Sequence, residues 1–299
     1  MLELKNVSKN YGQFQALIDE TFTVKPGEVC GLIGQNGAGK TTTFRLILDF
    51  IKLNQGAITW NGKPLNQLSH DFIGYLPEER GLYPKMTVEQ QILFFAQLHG
   101  MSRQKVLAEI DQWLELFQVK GSRKDKVKNL SKGNQQKVQL IATLIFHPKL
   151  AILDEPFSGL DPVNASLLKN GIRMLQEEGS AIIFSSHDMS NVEELSSNIV
   201  MLKNGRTVLN GTVSDIRNSY EDTRIFIRKS GITAEELREL SGVEAVTENA
   251  GRFKVDIVNS EVGSDILKAI TADGVVKEFN QQAPTLDEIF RMKAGDQDE

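Results

Sequence analysis

A single cysteine, Cys30, in 299 residues leaves no internal disulfide and fits a reducing compartment. Basic residues do not outnumber acidic ones. The counts are 34 and 39, a net of −5, whereas a nucleic-acid binder carries a basic excess, so no nucleic-acid partner is expected. No apolar run approaches the ~20 residues that cross a bilayer; Leu140–Phe146 is among the longest. Met1–Lys5 opens without an apolar core of signal-peptide length. Low-complexity tracts and long heptad runs are missing too. If the protein works at a membrane, another chain is expected to do the crossing.

What is present is the composition of an ordinary globular protein, 40% hydrophobic and 24% charged, long enough for two modest domains. The charge is unevenly placed. Residues 222–299 hold 10 basic and 16 acidic side chains, a net of −6, against +1 for residues 1–221.

Period-2 runs at Leu2–Val7, Thr21–Val24 and Ala57–Trp60 read as strands, and Val29–Ile33 as a short buried one. Thr43–Ile51 has helical spacing. Residues 86–147 are mostly helical: Thr87 and Gln90 form a capping box, and Ser102 opens a helix with Val106, Ile110, Leu114 and Phe117 on one face. Leu150–Leu153 and Ala181–Ser185 are buried-type strands, with a helix between them entered at Asp161-Pro162. Strands and helices alternating around a glycine-rich turn predict an α/β core with a parallel sheet. Beyond Tyr220 the order is β-α-β-β-α-β, over Thr223–Lys229, Thr233–Ser241, Val243–Glu248, Arg252–Val258, Gly263–Thr271 and Val275–Phe279. That is the split βαβ arrangement of a ferredoxin-like fold. Thr285 and Glu288 cap a last helix, and a flexible tail is expected over 293–299. The domains are expected at 1–215, with the helical part inside it at about 86–147, and at 222–292.

Gly34-Gln35-Asn36-Gly37-Ala38-Gly39-Lys40-Thr41 satisfies the P-loop pattern. Glycines let the backbone curl so that N–H groups converge on an anion, and the following helix N-terminus adds partial positive charge. The loop extends through Thr42. Lys40 is expected to reach the β- and γ-phosphates of ATP, and the Thr41 hydroxyl to ligate Mg²⁺. No Asn-Lys-x-Asp is present to read guanine. Leu150–Leu153 ends in Asp154-Glu155. At the carboxyl end of a sheet strand these carboxylates emerge where ligands sit in open α/β folds. Asp154 suits Mg²⁺, and Glu155 can aim at a water in line with the γ-phosphate.

Asn129-Leu130-Ser131-Lys132-Gly133-Asn134-Gln135-Gln136 resembles the signature sequence of ATP-binding cassette (ABC) proteins, and the family's other motifs stand in the expected order. The resemblance covers residues 1 to about 215. It implies that Tyr11 stacks on adenine, that Ser158-Gly159-Leu160-Asp161 is the D-loop, and that His187 contacts the γ-phosphate. It further implies that Ser131 and Gly133 bind a nucleotide held by a second copy of the chain, a homodimer, with a heterodimer as the alternative. The single cassette, the small acidic second domain and Ala283–Phe290 look like type-2 exporter ATPases, whose relatives extrude sodium, drugs or peptides. Such proteins hydrolyse ATP at the cytoplasmic face of the cell membrane, bound to a separate membrane-spanning permease subunit.

Two positions depart from the family. Glu78 stands where the Q-loop glutamine is expected; a glutamate can still ligate Mg²⁺ but when ionised donates no hydrogen bond. Lys132 replaces the first signature glycine and is read as facing solvent. Gly81–Pro84, after the Q-loop, is read as a docking surface. Cys30 is expected in the core, and His70, His99 and His147 in surface or capping roles. Other ABC classes fit less well. Chromosome-maintenance types insert a coiled coil between P-loop and signature, and translation types carry two cassettes; a cassette that senses nucleotide without turnover is the reading that the Glu78 and Lys132 departures keep open.

Overall fold

The computed structural model describes residues 1–79, 81–272 and 275–295, which divide into two compact units, Met1–Thr212 and Val213–Glu299. In chain order the first unit comprises β1 (Leu2–Tyr11), β2 (Phe14–Val24), β3 (Val29–Ile33), α1 (Lys40–Ile47), β4 (Gln55–Trp60), β5 (Lys63–Pro64) and β6 (Ile73–Leu76). There follow α2 (Val88–Leu98), α3 (Arg103–Leu116), α4 (Lys132–Leu144), β7 (Leu150–Leu153), α5 (Pro162–Glu177), β8 (Ala181–Ser185), α6 (Met189–Leu195), β9 (Asn198–Lys203) and β10 (Arg206–Gly211).

The strands form two sheets. One is antiparallel, in the order β2-β1-β4-β5, and the other runs β10-β9-β3-β8-β7-β6. Within the second, β9, β3, β8, β7 and β6 are parallel and only β10 is reversed. Every residue of β3, β7 and β8 is buried. Strands covered on both faces need continuous apolar runs, which is how their sequences read. Because these strands are parallel, the segments leaving β3, β6, β7 and β8 all emerge from one edge of the sheet. That edge gathers the candidate site.

Three helices, α2, α3 and α4, follow β6 before the chain returns to the sheet. Each begins on a side-chain cap. Thr87 and Gln90 form the reciprocal capping box of α2, Ser102 accepts from the Lys105 N–H, and Ser131 accepts from the Asn134 N–H. Asp161 caps α5 with Pro162 in its first turn. Each cap satisfies a donor that an uncapped helix end leaves unpaired.

Some boundaries differ from the sequence reading. α1 starts at Lys40 rather than Thr43, because Gly39 at φ 119° turns the chain directly into it. It ends at Ile47 rather than Ile51, where Asp49 at φ 55° and the bond from Phe50 N–H to Arg45 O close the last turn. The apolar Phe50 that prolonged the helical spacing is exposed. Strands β5, β6, β9 and β10 had no sequence assignment.

The second unit opens with α7 (Val213–Asn218), so the first unit ends at 212, short of the expected 215. It continues through β11 (Arg224–Lys229), α8 (Ala234–Arg238), β12 (Val243–Asn249), β13 (Arg252–Ile257), α9 (Val262–Thr271), β14 (Val276–Gln282) and α10 (Leu286–Gly295). The antiparallel sheet β12-β13-β11-β14 is ferredoxin-like. Ile225, Ile227, Phe253, Val255 and Ile257 alternate onto one face and pack with Leu237, Ile266 and Ile270. The opposite face is charged. Arg252 pairs with Glu278 at 2.6 Å and lies over the Phe226 ring, while Lys254 pairs with Glu288 of α10. α10 continues to Gly295, which corrects the tail expected from 293. Buried Leu286 and Ile289 and an Arg291–Asp287 pair hold its turns. Residues 296–299 of that tail lie outside the described residues.

Candidate functional site

The phosphate loop leaves β3 and is shaped by two glycines, Gly34 and Gly39, that leave no room for a side chain. A Cβ at Gly34, φ 154°, would meet the Leu202 carbonyl oxygen at 2.5 Å, and one at Gly39 would meet Leu17 at 2.6 Å. Among the described residues, the N–H groups of Gly37, Gly39, Lys40 and Thr41 find no backbone acceptor, while Ala38 N–H donates to Gln35 O. A curl of unsatisfied donors at a helix start is a receptor for an anion, so the loop fits a phosphate. Lys40 is only 8% exposed and donates to Gly34 O at 2.7 Å, holding the loop on itself. Burial pulls its pKa down, against the pull of Glu155, Asp154 and Glu78. Asn36 is exposed and Ala38 buried; Thr41 is exposed and Thr42 half-buried.

Asp154 and Glu155 leave β7 beside this loop. Asp154 is buried and accepts from Ser185 Oγ at 2.7 Å. Burial raises its pKa, the Ser185 bond opposes that, and the charges of Glu78 and Glu155 add to it. A carboxyl raised by neighbouring negative charge is a site that a cation suits, and Mg²⁺ accepts one or two carboxylates beside its waters. Glu155 sits at φ 47°, an uncommon conformation for a side chain of its size, and its N–H donates to the same Ser185 Oγ at 2.7 Å. Its Oε2 lies 2.8 Å from His187 Nδ1. The His187 side chain is 74% exposed and that of Glu155 14%. Glu78, past the end of β6, is exposed and acts on Asp154 and Lys40 through its charge.

Ser185 escaped the sequence reading. Parallel pairing of Leu153 with Phe184 sets it next to Asp154, so a hydroxyl ending the neighbouring strand was the available signal.

The remaining residues form a separate group. Ser131 and Lys132 are exposed at the start of α4, and Gly133 is half-buried behind them. Gln136 of α4 donates to Ser158 O at 3.3 Å. Both Asp161 oxygens are taken by Asn164. The signature turn and the Ser158–Asp161 loop therefore meet, but no hydrogen bond among the described residues joins Ser131 or Gly133 to the phosphate loop. Tyr11, at the β1–β2 turn, is 45% exposed with the Lys9 ammonium 5.2 Å from its ring centroid.

Another recess lies between β6 and the helices. A cavity of about 210 Å³ is lined by Tyr75, Leu82, Gln91, Phe95, His99 and Phe146, among others. Gln91 is fully buried. Its Oε1 accepts from Tyr83 N–H at 2.9 Å, which leaves Nε2 without a partner. His99, whose pKa burial lowers, stacks on Phe146 at 3.9 Å. His147 is no simple cap: it bridges Glu178 at 2.7 Å and Glu109 at 3.0 Å.

Residues 17–158 match the family described as ABC transporter, and 211–294 match the C-terminal domain of DrrA1-3-like ATP-binding proteins. Similar across 99% of both chains, at 40% identity, is YhaQ of Bacillus subtilis (strain 168), an uncharacterized ABC transporter ATP-binding protein. The linearmycin resistance ATP-binding protein LnrL of the same organism is 30% identical over 99% of this chain and 98% of its own. A solved ATP binding subunit of an ABC transporter aligns at TM-score 0.69 and 33% identity, covering 73% of this chain and 92% of that one.

Proposed function

The chain belongs to the ABC transporter ATP-binding proteins, and from that premise we propose that it hydrolyses ATP to drive an exporter whose membrane-spanning part is a separate subunit. The observation that carries hydrolysis is the Glu155–His187 pair, tied to the buried Asp154 through one serine. Lys40 and the unpaired amides of Gly37, Gly39 and Thr41 hold the triphosphate, and the Tyr11 ring supports adenine. Thr41, Asp154 and Glu78 would hold Mg²⁺, which when bound supplies positive charge against the phosphates. Glu155 takes the proton of the attacking water on its unoccupied oxygen, and His187 orients it and faces the transferring phosphoryl.

Ser131, exposed, and Gly133, half-buried, both apart from the chain's own phosphate loop, serve a nucleotide on a second copy, with Asp161 beside them. The working form is then a dimer with two composite sites. The cavity beside Gly81 and Leu82 suits docking on the membrane subunit. It takes about one bulky apolar side chain, and the unpaired Gln91 NH₂ asks its occupant for an acceptor. The chain then works at the cytoplasmic face of the membrane. Similarity to LnrL supports a drug-like cargo over sodium or a peptide.

Glu155→Gln tests the reading. The variant should bind ATP and elute as an ATP-dependent dimer, while phosphate release falls at least ~100-fold. Wild-type turnover in this variant would overturn the assignment.

A further inference from the structure

Glu20, in the middle of β2, is fully buried. Both carboxyl oxygens lie within hydrogen-bond distance of one hydroxyl, Thr43 Oγ1, at 3.0 and 2.9 Å. The same hydroxyl lies 3.3 Å from the carbonyl oxygen of Gly39, the last glycine of the phosphate loop. A threonine has a single proton to give. When Glu20 is ionised, that proton goes to the carboxylate. When Glu20 is neutral, its own O–H donates to Thr43, and the threonine proton is free for Gly39.

Among the described residues, burial and the Thr43 bond are what act on the Glu20 carboxyl, with no charged neighbour to offset its burial. Cys30 on β3 is a thiol that burial pushes up, so it stays neutral. Lys40, opening α1, gives its ammonium to Gly34 O and Gln35 O. Arg45 on α1, Lys5 on β1 and Arg206 on β10 are exposed, while Lys9 on β1 donates to Lys52 O. Glu3 on β1 accepts from Thr59, β8 has no titratable side chain, and Asp19 on β2 accepts from Ser8. Glu28, before β3, accepts from Lys25 N–H.

We propose that Glu20 is a proton-linked positioning residue for the phosphate loop. In its neutral form it lets Thr43 hold the Gly39 carbonyl. On ionisation it takes that hydroxyl back and leaves a buried negative charge behind the start of α1. Both changes oppose a bound triphosphate, so nucleotide affinity and the proton on Glu20 support each other. Burial raises the Glu20 carboxyl to about 8, with the Thr43 bond pulling the other way. Affinity is therefore full near neutral pH and falls as pH rises through that value.

This inference rests on the ATP reading above, and its test separates the two. The affinity of the full chain for a non-hydrolysable ATP analogue with Mg²⁺ is measured at pH 7 and pH 9. The wild type should lose up to about tenfold between them, as the competent fraction falls. Glu20→Gln and Glu20→Leu should lose far less, and Thr43→Ser should keep the wild-type profile. Lys40, whose own pKa is lowered, is common to all four proteins, so its titration cancels in the comparison. If the Gln and Leu variants track the wild type across pH, the proposal fails while the ATP reading stands. If the wild type binds no analogue at either pH, the ATP reading fails and takes this one with it.

Discussion

Ser185 receives the Glu155 N–H and donates to Asp154, so one hydroxyl fixes both acidic residues at the end of β7. Ser185→Ala should lower phosphate release by about 10- to 100-fold, the range for losing a group that orients such ligands, with analogue affinity changed much less. Equal losses in both measurements would point to collapse of the loop instead. At this scale the sequence displayed what has a spacing. Gly34 to Thr42, Asp154, Glu155 and His187 stand at intervals set by strand ends. Ser185 and Glu20 were hidden because their meaning lies in a partner across the sheet or on a helix, 31 and 23 positions away. Glu20 even looks like a solvated acid in a half-polar run, and only pairing with β1 turns it inward.

Helix starts were legible at the caps Thr87, Ser102 and Asp161 and within one residue at Thr233, but not at Ser131 or Asp188, which cap helices as well. The start of α1 was not, because there the backbone of Gly39 makes the turn and leaves no polar side chain as a sign. The connection of α3 to α5 was equally invisible. His147, itself past the end of α4, bridges Glu109 on α3 and Glu178 at the end of α5. Burial pulls its pKa down, but bonds to the two glutamates outweigh that and hold it above the ordinary value. A raised histidine stabilises fully below its unfolded value, and the contribution is lost as pH rises through the folded one. His147→Ala should therefore cost more thermal stability at pH 6 than at pH 9. The difference should stay below about 1 kcal/mol, because the bridge is partly solvated. A pH-independent loss in thermal scans would assign the residue to packing against Trp113 alone.

At the scale of the whole chain, the described residues include cores built from separate stretches of sequence. One joins β1 to β4 with the central strands, and another is built from residues 225–270, with Val276 and Phe279 packed against it. The change from parallel to antiparallel order was readable in the element sequence. Its position near 212 depends on where β10 stops pairing with β9, which composition does not mark. Units with their own cores fold independently as a rule. A chain ending at Thr212 should thus bind the ATP analogue within about threefold of the full chain. Loss of binding in a soluble, monodisperse fragment would show that the second unit is needed for nucleotide affinity.

The lone cysteine has a practical meaning. Cys30 lies in the middle of the parallel sheet, wholly enclosed and with its thiol kept protonated. It should not react with maleimide in the native state, so a cysteine introduced at exposed Lys132 should be the sole attachment point for a fluorophore or spin label. Motion of the signature turn can be followed in an otherwise wild-type background.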